Sequence, residues 1–116
     1  MLQVGAHVRI CVYTKAADLR KGFDGLSGLV RGELGGDPTD GSLFLFFNRR
    51  RDRLKILHVD GSGYWLYYKL LEAGTFEPIA SDQPCLEIDA TQLSMLLSGV
   101  SLQSSQRRRR RYQHAS

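Results

Sequence analysis

Cysteine, metal-ligand clusters and long hydrophobic runs are all scarce in this chain of 116 residues. The two cysteines, Cys11 and Cys85, are too few to build a disulfide framework, so we expect reduced thiols in an intracellular protein. No run approaches the roughly 18 apolar residues that a membrane-spanning helix needs. The N-terminal apolar stretch contains Arg9 and no cleavage site, unlike a secretory signal. These absences predict a cytoplasmic protein that does not enter a membrane.

The patterns of common catalytic and cofactor sites are missing too. The histidines, His7, His58 and His114, are far apart, and none stands at metal-ligand spacing from a cysteine. The chain has no phosphate-binding glycine loop and no nucleophile elbow. Asp60 is the best single candidate for a Mg²⁺ ligand, but Asp-Gly between two strands is far more typical of a hairpin turn. We therefore predict no active site, no metal and no cofactor.

Positive charge is present but unevenly distributed. The chain has 16 lysines and arginines against 12 acidic residues, and residues 107–111 are five consecutive arginines. Without these five, 11 basic residues face 12 acidic ones, so the remainder carries a formal charge of −1. We predict one domain over residues 1–102 and a disordered arginine-rich tail over residues 103–116. The tail is either an interaction arm or an incidental chain end.

Apolar patterning predicts an α+β fold. Strands are expected at 7–13, 43–47, 54–59 and 64–71, with a short additional strand at 73–79. Apolar residues recur every three or four positions from Leu19 to Leu34, which predicts a first helix. A second helix is expected over 89–100, with Asp89 or Thr91 near its start. The order β-α-β-β-β(-β)-α, with short connections, predicts an antiparallel sheet of four to five strands with two helices on one face.

Four glycines lie inside the first predicted helix, where each costs about 1 kcal/mol relative to alanine. They are Gly22, Gly25, Gly28 and Gly32, on a flank beside the apolar stripe. Close approach to a strand or to another protein chain is the expected reason. Approach to a nucleic-acid backbone is the alternative.

A dense group of cations stands between two predicted strands, at the tip of a hairpin. The group comprises Arg49, Arg50, Arg51, Arg53 and Lys55. Guanidinium and ammonium groups bind phosphates well, so this tip is a candidate phosphate-binding segment. Arg20 and Lys21 extend it if the start of the first helix lies near the hairpin. A solvated turn is the alternative interpretation.

Aromatic residues follow in the next strand, where bases can stack on their rings. Strand alternation places Trp65, Tyr67 and Lys69 on one face and Tyr64, Leu66 and Tyr68 on the other. Core packing of these rings is the alternative. The predicted nucleic-acid-binding residues are Arg20, Lys21, Arg49, Arg50, Arg51, Arg53, Lys55, Trp65, Tyr67 and Lys69.

Four segments also resemble a known family. They are "DLRKGFDGLSGLV" (18–30), "LFLFFNRRRDRLKIL" (43–57), "DGSGYWLYYKLLEAGTF" (60–76) and "QLSMLLSGV" (92–100). In this order and spacing the chain resembles, over about residues 5–102, the small TnpB-type accessory protein of bacterial insertion sequences of the "66" family. His58 and Val59 stand where members often carry aromatic residues, and the arginine tail lies beyond the resemblance.

The resemblance implies a role beside a separate, larger transposase of the same mobile element. We expect a non-enzymatic accessory protein of DNA transposition that binds element DNA through the basic hairpin and assists the transposase. The alternative is a protein-interaction module that docks on the transposase, or self-associates as a homo-oligomer, without contacting DNA.

Overall fold

A computed structural model describes residues 7–77 and 79–99 of the chain. The predicted tail and the domain boundary at residue 102 lie outside the described residues. The elements are β1 (Ile10–Ala16), α1 (Phe23–Gly32), β2 (Leu43–Phe47), β3 (Arg53–Val59), β4 (Tyr64–Leu70), β5 (Cys85–Ile88) and α2 (Ala90–Leu97). No helix in these ranges is long and apolar enough to cross a membrane.

The five strands form one sheet in the order β4-β3-β2-β1-β5. The α+β class and the order of elements are confirmed, but the sheet is mixed rather than purely antiparallel. β1 and β2 run parallel, and the other neighbours are antiparallel. Parallel neighbours need a long crossover, which α1 and its flanking loops supply.

The two helices cover opposite faces of the sheet, so the prediction of both helices on one face is wrong. On one face Leu26 and Val30 of α1 pack in a cluster with Phe44, Phe46 and Leu57. On the other face, α2 packs in a second cluster, which includes Leu93, Leu96, Val12, Leu45, Phe47 and Ile56. Because both faces are covered, all five residues of β2 are buried, as its uninterrupted apolar sequence predicts.

The last strand is at Cys85–Ile88 and pairs with β1, so the prediction of a strand at 73–79 is wrong. The apolar signal there comes from Phe76, which is fully buried in the core beneath α2. Its amide donates a hydrogen bond to the carbonyl of Arg51, 2.6 Å away, outside any strand ladder. One buried anchor is enough to hold a loop. A strand needs a pairing partner, which local patterning does not reveal.

The pairing of β1 with β5 brings Cys11 and Cys85 together, although they are 74 residues apart in the chain. Their Cα atoms are 5.6 Å apart and the structure joins them in a disulfide. The expectation of two separate thiols is therefore wrong. The physical reason is a long-range contact that places both side chains on the same face of neighbouring strands.

Both helix starts follow local chemistry. Asp89 caps α2, accepting a hydrogen bond from the amide of Gln92 at 2.7 Å, while the Gln92 side chain accepts from the amide of Asp89 at 2.9 Å. This reciprocal capping box confirms the predicted start. α1 begins at Phe23, after Gly22, rather than at Leu19. The preceding residues form a turn instead, because Asp18 accepts hydrogen bonds from the amides of Arg20 and Lys21.

Candidate nucleic-acid interface

The tip that joins β2 to β3 is held by an Asn–Asp pair. The side-chain amide of Asn48 donates to Asp52 Oδ1 at 2.7 Å, and its carbonyl oxygen accepts from the amide of Arg53 at 3.0 Å. The amide of Arg51 donates to the Asn48 carbonyl at 3.1 Å. The hydrogen bond from Asn48 is the main cause that lowers the pKa of Asp52. The tip is therefore a shaped turn, with Asp52 ionised inside it.

Arg51 turns away from the surface. Its φ angle is +59°, in the left-handed region, and its Nη2 atom donates to the carbonyl of Glu77 at 2.9 Å. The guanidinium carbon lies 4.4 Å from the centre of the Phe47 ring, and Nε donates to the carbonyl of Phe76 at 3.4 Å. Burial lowers the pKa of Arg51. This arginine fastens the loop around Phe76 to the hairpin.

Arg49 and Arg50, by contrast, are exposed at the tip. In the ranges that the structure describes, neither side chain has a hydrogen bond or an ion pair within the chain. Their guanidinium groups present donors to the solvent in a fork that matches a phosphate.

Arg53 and Lys55 point to the same side of β3 and meet Tyr68 of β4. Arg53 Nη1 donates to the Tyr68 hydroxyl at 3.0 Å, and Lys55 Nζ lies 5.2 Å from the centre of the Tyr68 ring. Lys55 Nζ also donates to the carbonyl of Lys21 at 3.0 Å. A ring beneath an ammonium stabilises it. Tyr68 thus positions both cations, and Lys55 connects β3 to the start of α1.

Arg20 lies on this same side of the protein. Its guanidinium donates three hydrogen bonds to the Asp18 carboxylate, at 2.8, 3.0 and 3.2 Å, and remains largely exposed. The hydrogen bond from Arg20 lowers the pKa of Asp18 to about 2. An open cavity of about 270 Å³ is lined by Asp18, Arg20, Asn48, Arg50, Asp52 and Arg53. The start of α1 and the hairpin therefore share one surface, as the predicted extension requires. We call Arg20, Lys21, Arg49, Arg50, Arg53 and Lys55 the basic surface.

The other predicted residues lie on the opposite face of the sheet. Residues that pair directly in an antiparallel ladder point to the same side. Lys69 pairs with Leu54 and Tyr67 with Ile56, and both partners belong to the core beneath α2. Lys69 Nζ donates to the carbonyl of Leu97 at 2.6 Å. Trp65, Tyr67 and Lys69 are thus separated from the basic surface by the thickness of the sheet.

The aromatic residue that accompanies the cations, Tyr68, is absent from the predicted set. A signal for it exists in the sequence. If residues 60–63 form a four-residue turn, Val59 opposes Tyr64, and counting back along both strands places Lys55 opposite Tyr68. The structure has this register. Tyr64 lies further along the same face, 5.6 Å from the ring of Phe23.

Asp60 is occupied by the turn itself, which confirms the turn interpretation. Its Oδ1 accepts from the amides of Ser62 and Gly63 at 2.8 and 2.9 Å, and its Oδ2 accepts from the indole of Trp65 at 2.7 Å. Backbone donation from Ser62 is the main cause that holds the pKa of Asp60 well below its usual range. Within residues 7–77 and 79–99, no group of three or more His, Cys, Asp or Glu side chains is placed to hold a metal.

The helix glycines do not pack against the sheet. A Cβ atom added at Gly28 or Gly32 meets nothing within 4 Å, so this flank of α1 faces open space. Gly25 differs, because a Cβ there would lie 2.8 Å from the Cβ of Lys21. Gly25 lets the Lys21 side chain lie against the helix, beside the Lys55 contact. The expectation that these glycines allow close packing against a strand of the same chain is therefore wrong.

Comparison with known proteins adds a family. The sequence profile described as "IS66 Orf2 like protein" (TnpB_IS66) matches residues 8–107. The chain belongs to this family. Membership confirms the resemblance and associates this IS66 Orf2-like protein with the transposition of insertion sequences.

Two relatives from Sinorhizobium fredii (strain NBRC 101917 / NGR234) are similar over most of their length. Uncharacterized protein y4hO is 38% identical over 100 residues, covering 86% of this chain and 87% of the relative. Uncharacterized protein y4jC is 38% identical over 93 residues, covering 80% of each chain. No solved structure matches this IS66 Orf2-like chain.

Proposed function

We propose that the protein is a non-enzymatic accessory protein of DNA transposition, which binds the phosphate backbone of element DNA through its basic surface and assists a separate transposase. The observation that carries the proposal is the shared cavity, where Arg20 from one part of the chain meets Arg50 and Arg53 from another. In this cavity three arginines, Arg20, Arg50 and Arg53, face two carboxylates, Asp18 and Asp52, which leaves a formal charge of +1, three minus two. Outside residues 107–111 the whole chain totals −1, so the cavity is positive in a part of the sequence that is otherwise slightly negative.

The side chains of the basic surface suit phosphates better than bases. Arginine forks bind phosphate oxygens through two parallel hydrogen bonds, and such contacts position a protein without reading sequence. Tyr68 holds Arg53 and Lys55 side by side, which reduces the conformational freedom that they lose on binding. We infer binding to duplex DNA with little sequence preference, in the cytoplasm, where the element and its transposase meet.

The test is a salt titration of duplex binding. The variant carries Arg49→Ala, Arg50→Ala and Arg53→Ala together, in a chain whose arginines 107–111 are glutamines so that they do not mask the effect. Each lost phosphate contact lowers the slope of log K against log salt by about 0.9, so we expect a slope shallower by roughly 2 to 3. The matched control is Lys69→Ala, on the opposite face of the sheet. An unchanged slope in the triple variant would contradict DNA binding by the basic surface.

A second function is favoured by the open flank of α1. Gly28 and Gly32 give the helix a low ridge facing solvent, which permits close approach of another protein chain. In this alternative the protein docks on the transposase and does not contact DNA. Co-purification with the transposase after nuclease treatment, lost in Gly28→Leu but retained in the triple arginine variant, supports docking. Loss in the arginine variant alone indicates that the transposase contacts the basic surface rather than this flank of α1.

A further inference from the structure

The exposed apolar side chains of the described residues are concentrated on one strand. Five large hydrophobic side chains are exposed among these residues, and four of them belong to β4: Tyr64, Trp65, Tyr68 and Leu70, each between 46% and 54% exposed. The fifth, Phe23, contacts Tyr64. Apolar side chains are thus exposed on both faces of a single strand, which is unlike the scattered exposure of an ordinary surface.

β4 is also an edge of the sheet. No strand of residues 7–77 or 79–99 lies beyond it, and it pairs with β3 through all seven residues without a bulge. Natural edge strands are protected by outward charges, prolines, bulges or shortness. The only charged residue of β4 is Lys69, whose ammonium is directed to the carbonyl of Leu97 at the end of α2. The opposite edge, β5, has four residues and carries Glu87, paired with Arg9.

The free edge of β4 presents a regular set of backbone groups. Two hydrogen bonds flank the β3–β4 ladder: the amide of Leu71 donates to the carbonyl of Asp52, and the amide of Asp60 donates to the carbonyl of Gly63. They show that the odd-numbered residues of β4 direct their backbone amides and carbonyls towards β3. Even-numbered residues alternate with them. The amides and carbonyls of Tyr64, Leu66, Tyr68 and Leu70 therefore point away from the sheet.

We propose that β4 pairs antiparallel with β4 of a second copy, about a two-fold axis at Tyr67, so that two five-stranded sheets become one continuous sheet. In this register Tyr64 opposes Leu70 of the second copy, and Leu66 opposes its Tyr68. All of these are even-numbered residues with outward backbone groups, so each pair exchanges two hydrogen bonds. An axis at Leu66 or Tyr68 leaves one end of each strand unpaired.

The side chains match in the same register. On the α2 face Trp65 opposes Lys69 of the second copy, so the only charge of the strand meets an indole ring, and no like charges oppose each other. On the α1 face, aromatic and aliphatic side chains oppose each other. This self-complementarity favours a second copy of the chain over an unrelated strand.

The pairing has a consequence for DNA that rests on the proposed function. The two-fold axis of an antiparallel edge pair is perpendicular to the sheet. Both basic surfaces then lie on the same face of the continuous sheet, and one duplex can contact both. The dimer itself depends only on β4 and stands or falls separately from DNA binding.

The first test is sedimentation of the full chain, compared with Trp65→Lys and Trp65→Glu. We expect a dimer for the unchanged chain. Because residue 65 opposes Lys69 of the second copy, lysine creates two like-charged pairs and glutamate two opposite-charged pairs. We expect the dimer dissociation constant of Trp65→Lys to be at least roughly tenfold above that of Trp65→Glu. Asp60 lies beside residue 65 and favours lysine within one copy, so circular dichroism checks that both variants fold.

The second test measures the register directly. Under mild oxidation Tyr67→Cys crosslinks to its own equivalent across the axis, whereas Trp65→Cys, on the same face but four residues from its equivalent, does not. The unchanged chain controls for Cys11 and Cys85. A monomeric full chain overturns the proposal. A dimer with equal dissociation constants for the two Trp65 variants and no crosslink at position 67 overturns it as well, because the interface is then elsewhere. Duplex binding by Trp65→Lys, measured separately, reports on the basic surface alone.

Discussion

The Nη2 atom of Arg51 lies 2.9 Å from the carbonyl oxygen of Glu77, and the same guanidinium lies 4.4 Å from the centre of the Phe47 ring. Three neighbouring arginines in one short run therefore have different roles. Arg51 holds a loop onto the core, while Arg49 and Arg50 face the solvent. A cluster of like charges in a sequence is not yet a binding surface, because the backbone decides which members reach it.

Arg51→Ala tests this division. The substitution removes two hydrogen bonds made by a charged, half-buried group and a contact with an aromatic ring, so we expect the free energy of unfolding to fall by about 1.5 to 3 kcal/mol. Arg49→Ala is the matched control, and we expect a change within about 0.5 kcal/mol. Urea unfolding measures both. Equal effects in the two variants would show that the Arg51 contacts do not stabilise the fold.

Lys55 and Lys69 test which face of the sheet binds DNA. They lie on neighbouring strands and point to opposite faces. In the chain with glutamines at 107–111, Lys55→Ala should make the salt slope of duplex binding shallower by about 0.9, because one phosphate contact is lost. Lys69→Ala should leave the slope per bound chain unchanged. The reverse result would transfer the interface to the α2 face, with Trp65 and Tyr67.

The glycines of α1 give opposite predictions within one helix. Gly28→Ala should raise the free energy of unfolding by about 0.5 to 1 kcal/mol, because alanine favours the helix and its Cβ meets open space. Gly25→Ala should give no such gain, since its Cβ would lie 2.8 Å from that of Lys21. Thermal unfolding compares the two. A loss of stability in Gly28→Ala would mean that this flank is covered within the chain.

Asp60 gives the acid dependence of stability. Its pKa in the folded protein lies below that of an unfolded aspartate, about 3.9, so the ionised carboxylate stabilises the fold above that value. This contribution to the free energy of unfolding is lost as pH falls through about 3.9 towards the lower pKa of the folded protein. Asp60→Asn should therefore show a shallower loss of stability over this range. Part of the loss of stability at acid pH should remain in the variant, because Asp18 also has a lowered pKa of about 2. An unchanged decline would show that the turn does not depend on the charge of Asp60.

Local chemistry predicted the elements whose causes are local. The run 43–47 is apolar at every position and is the buried central strand. Asp89 with Gln92 forms the capping box of α2, and Asp60 forms the turn between β3 and β4. The sequence also grouped Arg20 with the hairpin on the condition that the start of the first helix lies near it, and the fold meets this condition. The binding role of these residues stays a prediction until it is measured.

The errors have a common cause as well. The parallel pairing of β1 with β2, the pairing of β1 with β5, and the contact of Cys11 with Cys85 all join residues far apart in the chain. Patterning along a strand shows which residues share a face, but not which strand lies beside it. The grouping of Trp65, Tyr67 and Lys69 with the arginines therefore needed the β3–β4 register, which places them on the other face.

By itself the sequence determined the family, the α+β class and the order of the elements, because hydrophobic period, turn residues and capping residues act within a few positions. Only the tertiary structure decided that Arg51 points inward, that Tyr68 accompanies the cations, and that β4 is an open edge. Those facts arise from pairing between distant segments, where competition for burial and for backbone hydrogen bonds is settled by the whole chain at once.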